Sequence, residues 1–415
     1  MKKVTKTTPS VRFNRFTVPW KLRKFSELYR KSSEKNNGSI GIDKNITVAT
    51  MQYKDDVKVS TQEYLKTYYT FNVGDIAFEG HHSKEFKFGR FVENDIGDGI
   101  VSHIFVVFRP ICNYDIYFWK YAINNERIMQ KILSRSTKAS TMMHDLVTND
   151  FLNESIFVPC IEEQRVIGIY LRNIEKLITL HKQKLEQQKK LKRYFLQNMF
   201  PTKGEKVPKI RLKGFNGDWK KCKLSNISTL NGRIGFRGYT QKDIITKEEG
   251  GILTFSPTNI IDSQLTSGEN KNTYITKQKY DESPEIKINN GDILFVKTGS
   301  TLGKSCLVTN LLEPASINPQ IVVIRTNPLF RRFLAVQFTS DLIQEQIASV
   351  KVGGAIPTMT EAQIKAFNII LPSDITEAEA IGNIFMDIDN VMDFYKKRVD
   401  ELHLLKKYML QNMFI

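Results

Sequence analysis

Two stretches of the chain carry apolar residues at alternating three- and four-residue steps, in one shared register. In the first these positions are Ile167, Leu171, Ile174, Ile178, His181, Leu185, Gln188, Lys192, Phe195 and Met199. A shift of 214 residues gives Ile381, Phe385, Ile388, Met392, Tyr395, Val399, Leu402, Lys406, Met409 and Met413 in the second, with no insertion or deletion. Apolar residues held at this spacing for several heptads predict a coiled-coil seam. Neither helix has an apolar face wide enough to need such length if it packed alone. The stretches close alike, Leu191 to Phe200 and Leu405 to Phe414, each ending in Leu-Gln-Asn-Met-Phe. Acidic residues near the starts (Glu162, Glu163; Asp374, Glu377) and Lys or Arg near the ends suit the helix dipole. Asp374 to Glu377 has the spacing of a capping box. His181 and Gln188 read as polar, register-setting seam positions.

Between the helical stretches the pattern changes to short, apolar, strand-like runs bounded by turn residues. Asn72-Val73-Gly74-Asp75-Ile76-Ala77-Phe78 matches Asn289-Asn290-Gly291-Asp292-Ile293-Leu294-Phe295, a Gly-Asp turn feeding a strand in each case. Ile104–Arg109 matches Gln320–Arg325, a buried strand ending in Arg. A helix is expected in each half after that, over 117–133 and 329–350. The openings also repeat. A shift of 199 superimposes Pro9, Arg12, Phe16, Trp20, Lys21, Lys24 and Ser26 on Pro208, Arg211, Phe215, Trp219, Lys220, Lys223 and Ser225. A repeat of this length means two homologous domains rather than a solenoid. The expected organisation is a globule over 1–158, a helix over 159–203, a second globule over 204–371 and a second helix over 372–415. The fold class is mixed α/β. Two paired helices of about 35 residues would span roughly 50 Å, the length of about 15 base pairs. A basic molecule of that shape suits two short sequences separated by a fixed gap.

Charge sharpens this picture. The 415 residues include 61 Lys+Arg against 44 Asp+Glu, a net charge of +17. Such a surplus favours an anionic partner such as nucleic acid. The four cysteines (Cys112, Cys160, Cys222, Cys306) have no metal-ligand spacing, which fits a reducing compartment. The basic start, Met1 to Lys6, leads into no apolar run, and no stretch approaches the ~18 apolar residues of a membrane span. A cytoplasmic protein without a membrane segment is expected.

Catalytic motifs fit poorly. Thr298 to Ser305 resembles a phosphate-binding loop, but Thr298 stands where the motif needs Gly. A basic Gly/Ser loop against DNA phosphates is the better reading. Asn318-Pro319-Gln320-Ile321 lacks the second Pro and the aromatic of an adenine-methyltransferase motif. His81 and His82 would point to opposite faces of a strand, which suits metal binding poorly. No metal site and no catalytic residue is assigned.

Two α/β domains of low mutual identity, each followed by a near-identical long helix, resemble the specificity subunit of type I restriction–modification enzymes. The residues carrying the resemblance are the helix start Pro159, Glu162 and Gln164, the Gly-Asp-Ile turns and the paired helix ends. The second helix start, Pro372 to Ala378, departs from the pattern in lacking the Gln. The resemblance implies two target recognition domains and two long antiparallel helices forming a coiled-coil spacer, with pseudo-two-fold symmetry. Each domain would read half of a bipartite site in double-stranded DNA. The helices would dock two methyltransferase subunits, which hold S-adenosylmethionine, and motor–nuclease subunits would join them. The subunit itself would bind no cofactor and catalyse nothing.

Phosphate contacts need Lys, Arg and small polar loops, and base contacts need polar side chains that reach a groove. The candidates are His81, His82, Lys84, Lys87, Arg90, Ser102, His103, Lys138, Ser140 and Thr141 in the first domain. In the second they are Arg233, Arg237, Tyr239, Lys297, Ser300, Lys304, Asn318, Gln320 and Lys351. Trp20 and Trp219 hold one place in a repeated frame and read as core. The competing readings are a stand-alone DNA methyltransferase or nuclease, and a structural adaptor that never meets DNA.

Overall fold

The computed structural model describes residues 7–54, 62–81, 83–140, 143–234, 238–268, 272–349 and 357–415. It separates into two compact units, Met1–Gln183 with Lys396–Ile415, and Lys184–Tyr395.

The first unit contains β1 (Lys21–Lys24), β2 (Tyr29–Ser32), β3 (Ile76–Glu79), β4 (Arg90–Glu93), β5 (Val106–Pro110), α1 (Ile116–Ala122), α2 (Glu126–Ser136), β6 (Ser155–Val158) and the first half of α3 (Ile161–Asn198). Its main sheet is antiparallel in the order β2-β5-β3-β4, and β1 pairs with β6. Strand β5 reads as an unbroken apolar run because both of its faces are covered. Phe108 packs with Phe91 and Phe151 on one side, while Val107 joins Ile46, Val48 and Phe71 on the other.

The second unit repeats this plan with β7 (Lys220–Lys223), β8 (Ser228–Gly232), β9 (Ile293–Val296), β10 (Ser305–Leu307), β11 (Ile321–Thr326), α4 (Pro328–Gln337), α5 (Asp341–Ala348), β12 (Asn368–Leu371) and the first half of α6 (Ile375–Asn412). The sheet order is β8-β11-β9-β10, strand for strand that of the first unit, and β7 pairs with β12 as β1 does with β6. A second four-stranded sheet, built from Ile244–Ile245, Thr273–Ile275, Ile252–Phe255 and Ala315–Ile317, was not foreseen. The parallel pairing of its last two strands joins residues 62 apart, beyond any local pattern.

The helices expected over 117–133 and 329–350 are each two helices. The breaks fall at Asn124-Asn125 and at Thr339-Ser340. Thr339 and Ser340 turn their hydroxyls onto the carbonyls of Val336 and Gln337, which competes with helix continuation.

In both units the turn before the central strand needs a left-handed residue, met by Gly74 (φ 91°) and Gly291 (φ 98°). The following aspartates, Asp75 and Asp292, accept the N–H of Asn72 and of Asn289, each at 2.9 Å. Each also receives an arginine from the end of the neighbouring strand, Arg109 on Asp75 and Arg325 on Asp292. Burial raises the Asp75 carboxyl above its usual range, and the Arg109 guanidinium opposes that shift.

Both long helices contribute to both units. In the first unit, Met413 and Phe414 at the end of α6 pack into the core that holds Ile167 and Leu171 of α3, and Lys406 pairs with Glu175 at 2.5 Å. These contacts run antiparallel. In the second unit, Met199 and Phe200 at the end of α3 pack with Ile381 and Phe385 of α6, and Lys192 pairs with Asp389 at 2.6 Å. Of the predicted seam positions, Ile167, Leu171, Ile174, Ile178, Ile381, Phe385, Ile388 and Val399 are buried, and Leu185, Phe195, Met392 and Leu402 are half-buried.

The charges along the two helices agree with the direction of pairing. Lys192 and Lys406 occupy the same place in the two helices, and so do Glu175 and Asp389. Antiparallel packing sets each lysine against a carboxylate, whereas parallel packing in the shared register would set lysine against lysine.

Candidate nucleic-acid interface

Each unit is fastened to its helices by a repeated set of contacts. Arg12 makes a two-pronged pair with buried Glu163, both bonds 2.7 Å, and Arg211 does the same with Glu377 at 2.8 Å. Glu377 is thus held by Arg211 and does not close the capping box expected there. Asp374 alone caps α6, accepting the Thr376 N–H at 2.9 Å. Val11 donates its N–H to the Asn412 carbonyl at 3.0 Å, and Ile210 donates to Asn198 at 2.8 Å. Trp20 and Trp219 are both buried, edge-on to Phe414 and Phe200 respectively. Gly168 and Gly382 let each helix touch a neighbour. A Cβ on Gly168 would lie 2.6 Å from the Phe118 backbone nitrogen, and one on Gly382 would lie 2.7 Å from that of Phe333. These contacts escaped the sequence reading, although Gly168 and Gly382 stand 214 apart, the offset of the helices.

The candidate DNA residues sort by what already holds them. In the first unit, the Gly80 carbonyl accepts the His144 N–H at 2.9 Å, which joins the loop after β3 to the hairpin of Thr137–Ala139 and His144–Leu146. Exposed His81, Lys84 and Lys87 on the loop are thereby brought to the same region as exposed Lys138 and Ser140 on the hairpin. Ser102 and His103 lie in the turn between the strand Gly99–Val101 and β5. Arg90 is tied down by Glu79 at 2.7 Å and by the Ala49 carbonyl at 2.9 Å, so it serves the fold.

In the second unit, the Lys297 N–H donates to the Gln320 carbonyl, and the Met359 N–H donates to the Lys297 carbonyl, both at 2.8 Å. Lys297, exposed Ser300 and exposed Gln320 therefore share one region. Lys304 is exposed, with its ammonium 3.5 Å from the Ile260 carbonyl. Asn318 is buried and shapes the turn that carries Gln320. Arg233 is also buried. Its guanidinium lies over the Tyr239 ring and donates to the Ile317 carbonyl, and its own burial lowers its pKa. Arg233 and Asn318 are buried and Arg90 is paired with Glu79, so each is engaged within its own unit. The stretch 298–305 leads into strand β10 and not into a helix, so it lacks the architecture of a phosphate-binding loop. His82, Thr141, Arg237 and Lys351 lie outside the described residues.

The profile of the family described as "Type I restriction modification DNA specificity domain" matches residues 20–190 and 216–404, most of the chain. The chain belongs to this family. Its two matched segments are the two repeats. It is 19% identical over 299 residues to the type I restriction enzyme MjaVIII specificity subunit of Methanocaldococcus jannaschii, covering 70% of this chain and 68% of that protein. A putative MjaX specificity subunit of the same organism is 24% identical over 219 residues, covering 51% of this chain and 49% of that protein. Among solved structures, the type I restriction–modification S subunit from M. genitalium superimposes with a TM-score of 0.61 at 14% identity, covering 98% of this chain and 99% of that one. A chain from a structure describing complex assembly and conformational transition of the type I system gives 0.52 at 15% identity, covering 95% and 98%.

Membership assigns a coarse role: a non-catalytic DNA specificity subunit of a type I restriction–modification system. No helix among the described residues is long and apolar enough to cross a membrane. Among those residues no cluster of His, Cys, Asp and Glu could hold a metal.

The type I specificity helices carry a second stripe, about 120° around each helix from the seam at 100° per residue. The first unit exposes Leu177 and Leu180 of α3 with Leu405 and Tyr408 of α6. The second exposes Val391 and Phe394 of α6 with Leu191 and Tyr194 of α3. Every member has its counterpart 214 residues away. Exposure matches too: 52% for both tyrosines, 37% and 36% for Leu191 and Leu405.

Proposed function

We propose that each unit reads one half of a bipartite double-stranded DNA site, and that the helices set the gap and dock two methyltransferase subunits. The repeated exposed stripe carries the docking reading. Exposed apolar side chains in matching patches mark interaction surfaces, and two copies of one patch suit two copies of one partner. Those partners hold S-adenosylmethionine, and motor–nuclease subunits complete a cytoplasmic assembly. DNA is met by His81, Lys84, Lys87, Ser102, His103, Lys138 and Ser140 in the first unit. In the second it is met by Lys297, Ser300, Lys304, Gln320 and the Tyr239 region.

The test is assembly with the methyltransferase subunit, followed by mass measurement and DNA binding across a salt series. Two methyltransferase subunits per chain are expected. Either Tyr194→Asp or Tyr408→Asp alone should reduce the count to one, and the pair should abolish assembly. DNA affinity should fall steeply with salt, as phosphate contacts require. Methyl transfer by the isolated chain, or full assembly of the double variant, would overturn the reading.

A further inference from the structure

The two units share a frame, so a difference confined to that frame is not needed by the fold. One such difference surrounds the start of α3. A cavity of about 420 Å³ opens there, with Leu28, Trp119 and Val158 in its lining and Arg15, Lys21 and Arg23 around it. Leu28, Trp119 and Val158 are buried, and the Trp119 Nε1–H has no hydrogen-bond partner among the described residues.

At the matching frame positions the second unit has Gly214 for Arg15, Cys222 for Arg23 and Asp218 for Pro19. The residue immediately before the helix is Cys160 in the first unit and Asp374 in the second. Asp374 satisfies its own helix, accepting the N–H and the hydroxyl of Thr376 at 2.9 and 2.7 Å. Cys160 supplies no carboxylate. The first-turn N–H groups of a helix have no partner within the helix, and Ile161 and Glu163 of the first turn of α3 line the cavity, while the Gln164 N–H is already bonded to the Cys160 carbonyl at 3.0 Å. The first unit thus gathers donors and cations where the second unit places a carboxylate of its own.

We propose that this cavity binds a carboxylate borne on an apolar body, supplied by an acidic and aromatic stretch of a partner polypeptide. The helix start, Arg15 and Lys21 take the carboxylate, Arg23 adds charge beside them from its pair with Glu27 at 2.5 Å, and the apolar lining takes the neighbouring side chain. Arg12 is not available, because Glu163 and the Val18 carbonyl already hold it. A bare inorganic anion would leave the apolar lining empty. The apolar surface also continues past the rim through Val18, 68% exposed, and a polypeptide covers such a surface where a small acid does not. The second unit keeps Lys220 at the place of Lys21 but has Gly214 for Arg15, Cys222 for Arg23 and Asp374 at the helix start, so the site admits one partner segment per chain and breaks the two-fold pattern of the helices. The inference does not depend on the docking stripe or on DNA readout.

The test titrates the full chain with the capped tripeptide acetyl-Asp-Leu-Phe-amide, following tryptophan fluorescence and binding heat. The Asn analogue, 3-phenylpropionate and inorganic phosphate serve as comparisons. The Asp peptide should bind at least about ten-fold tighter than the Asn analogue, the worth of a hydrogen-bonded charge, and tighter than 3-phenylpropionate. Cys160→Asp fills the helix start from within, and Arg15→Gly with Arg23→Cys removes the surrounding charge. Each should weaken the peptide about ten-fold without changing thermal stability or DNA affinity, because the second unit already carries those residues in the same frame. Equal binding of the Asp and Asn peptides, or unchanged affinity in both variants, would overturn the proposal. Phosphate competing as well as the peptide would make this a simple anion site, and 3-phenylpropionate binding as tightly as the peptide would remove the polypeptide partner.

Discussion

The pair between Arg211 and Glu377 ties the opening of the second repeat to the first turn of α6, and its contribution to stability can be measured. Glu377 is fully buried, while Arg211 keeps 14% side-chain exposure. Arg211 spends its remaining N–H groups on the carbonyls of Gly217 and Asn216, at 2.7 and 2.9 Å. The two ends of the bridge are therefore unequal. Arg211→Ala strands a buried carboxylate, which costs about 3–5 kcal/mol. Glu377→Gln leaves an arginine that retains carbonyl partners and some water, at a cost of about 1–3 kcal/mol. Replacing both with apolar residues of similar volume, Arg211→Met with Glu377→Leu, should be neutral to within about 1 kcal/mol. For a unit of this size each kcal/mol moves the melting temperature by about 2–4 °C, so Arg211→Ala should lower it by about 6–20 °C. Of the three tryptophans only Trp219 lies in the second unit. Its fluorescence in a Trp20→Phe, Trp119→Phe background reports that unit alone. Equal small losses of under about 1 kcal/mol in both single variants, with no coupling between them, would show that the bridge does not hold the opening segment. A double apolar variant as unstable as Arg211→Ala would show that shape, and not the stranded charge, sets the cost.

Gly382→Ala forces a methyl group toward the backbone at Phe333, so it should destabilise the second unit by about 1–3 kcal/mol. Gly168→Ala should do the same to the first, each seen by hydrogen exchange in its own unit. Glu93 is buried, and the Tyr114 hydroxyl donates to it. Burial raises its carboxyl pKa well above the usual range, so the folded chain holds a proton that the unfolded chain releases above about pH 4.3. Stability of the first unit should then fall as pH rises from there towards the folded pKa, by up to about 1.4 kcal/mol per pH unit. Urea melts of Glu93→Gln should lack this slope, and an unchanged slope would assign it elsewhere. Asp389→Lys sets a second cation against Lys192 and should cost about 1 kcal/mol, and adding Lys192→Asp should restore thermal stability if the pairing is mutual.

How far the sequence carried depends on the range of each signal. The long helices were legible because their signal is periodic and repeated, so a register shared across 214 residues could be read without knowing what it packs against. The frame residues Arg12, Trp20, Arg211 and Trp219 were legible as a repeat but not as contacts. The carboxylates they need, Glu163 and Glu377, lie 151 and 166 residues further on. Asp75 with Arg109, and Asp292 with Arg325, stood in the matched motifs in both halves. Treating each repeated charge as a question about its partner would have found both pairs.

The contact loops were the least legible, for a physical reason. A lysine or an arginine in a loop reads the same whether it faces DNA or a carbonyl beneath it. Arg233 is buried against the Tyr239 ring and Arg90 is paired with Glu79, and neither neighbour follows from local spacing. The two halves of the chain sort its frame residues into two kinds. Where they agree, at Arg12 with Glu163 and at Arg211 with Glu377, the residues hold the frame. Where they disagree within the frame, at Cys160 against Asp374 and Arg15 against Gly214, the fold tolerates both choices. The difference is then free to serve binding, and the second copy acts as a control for the first.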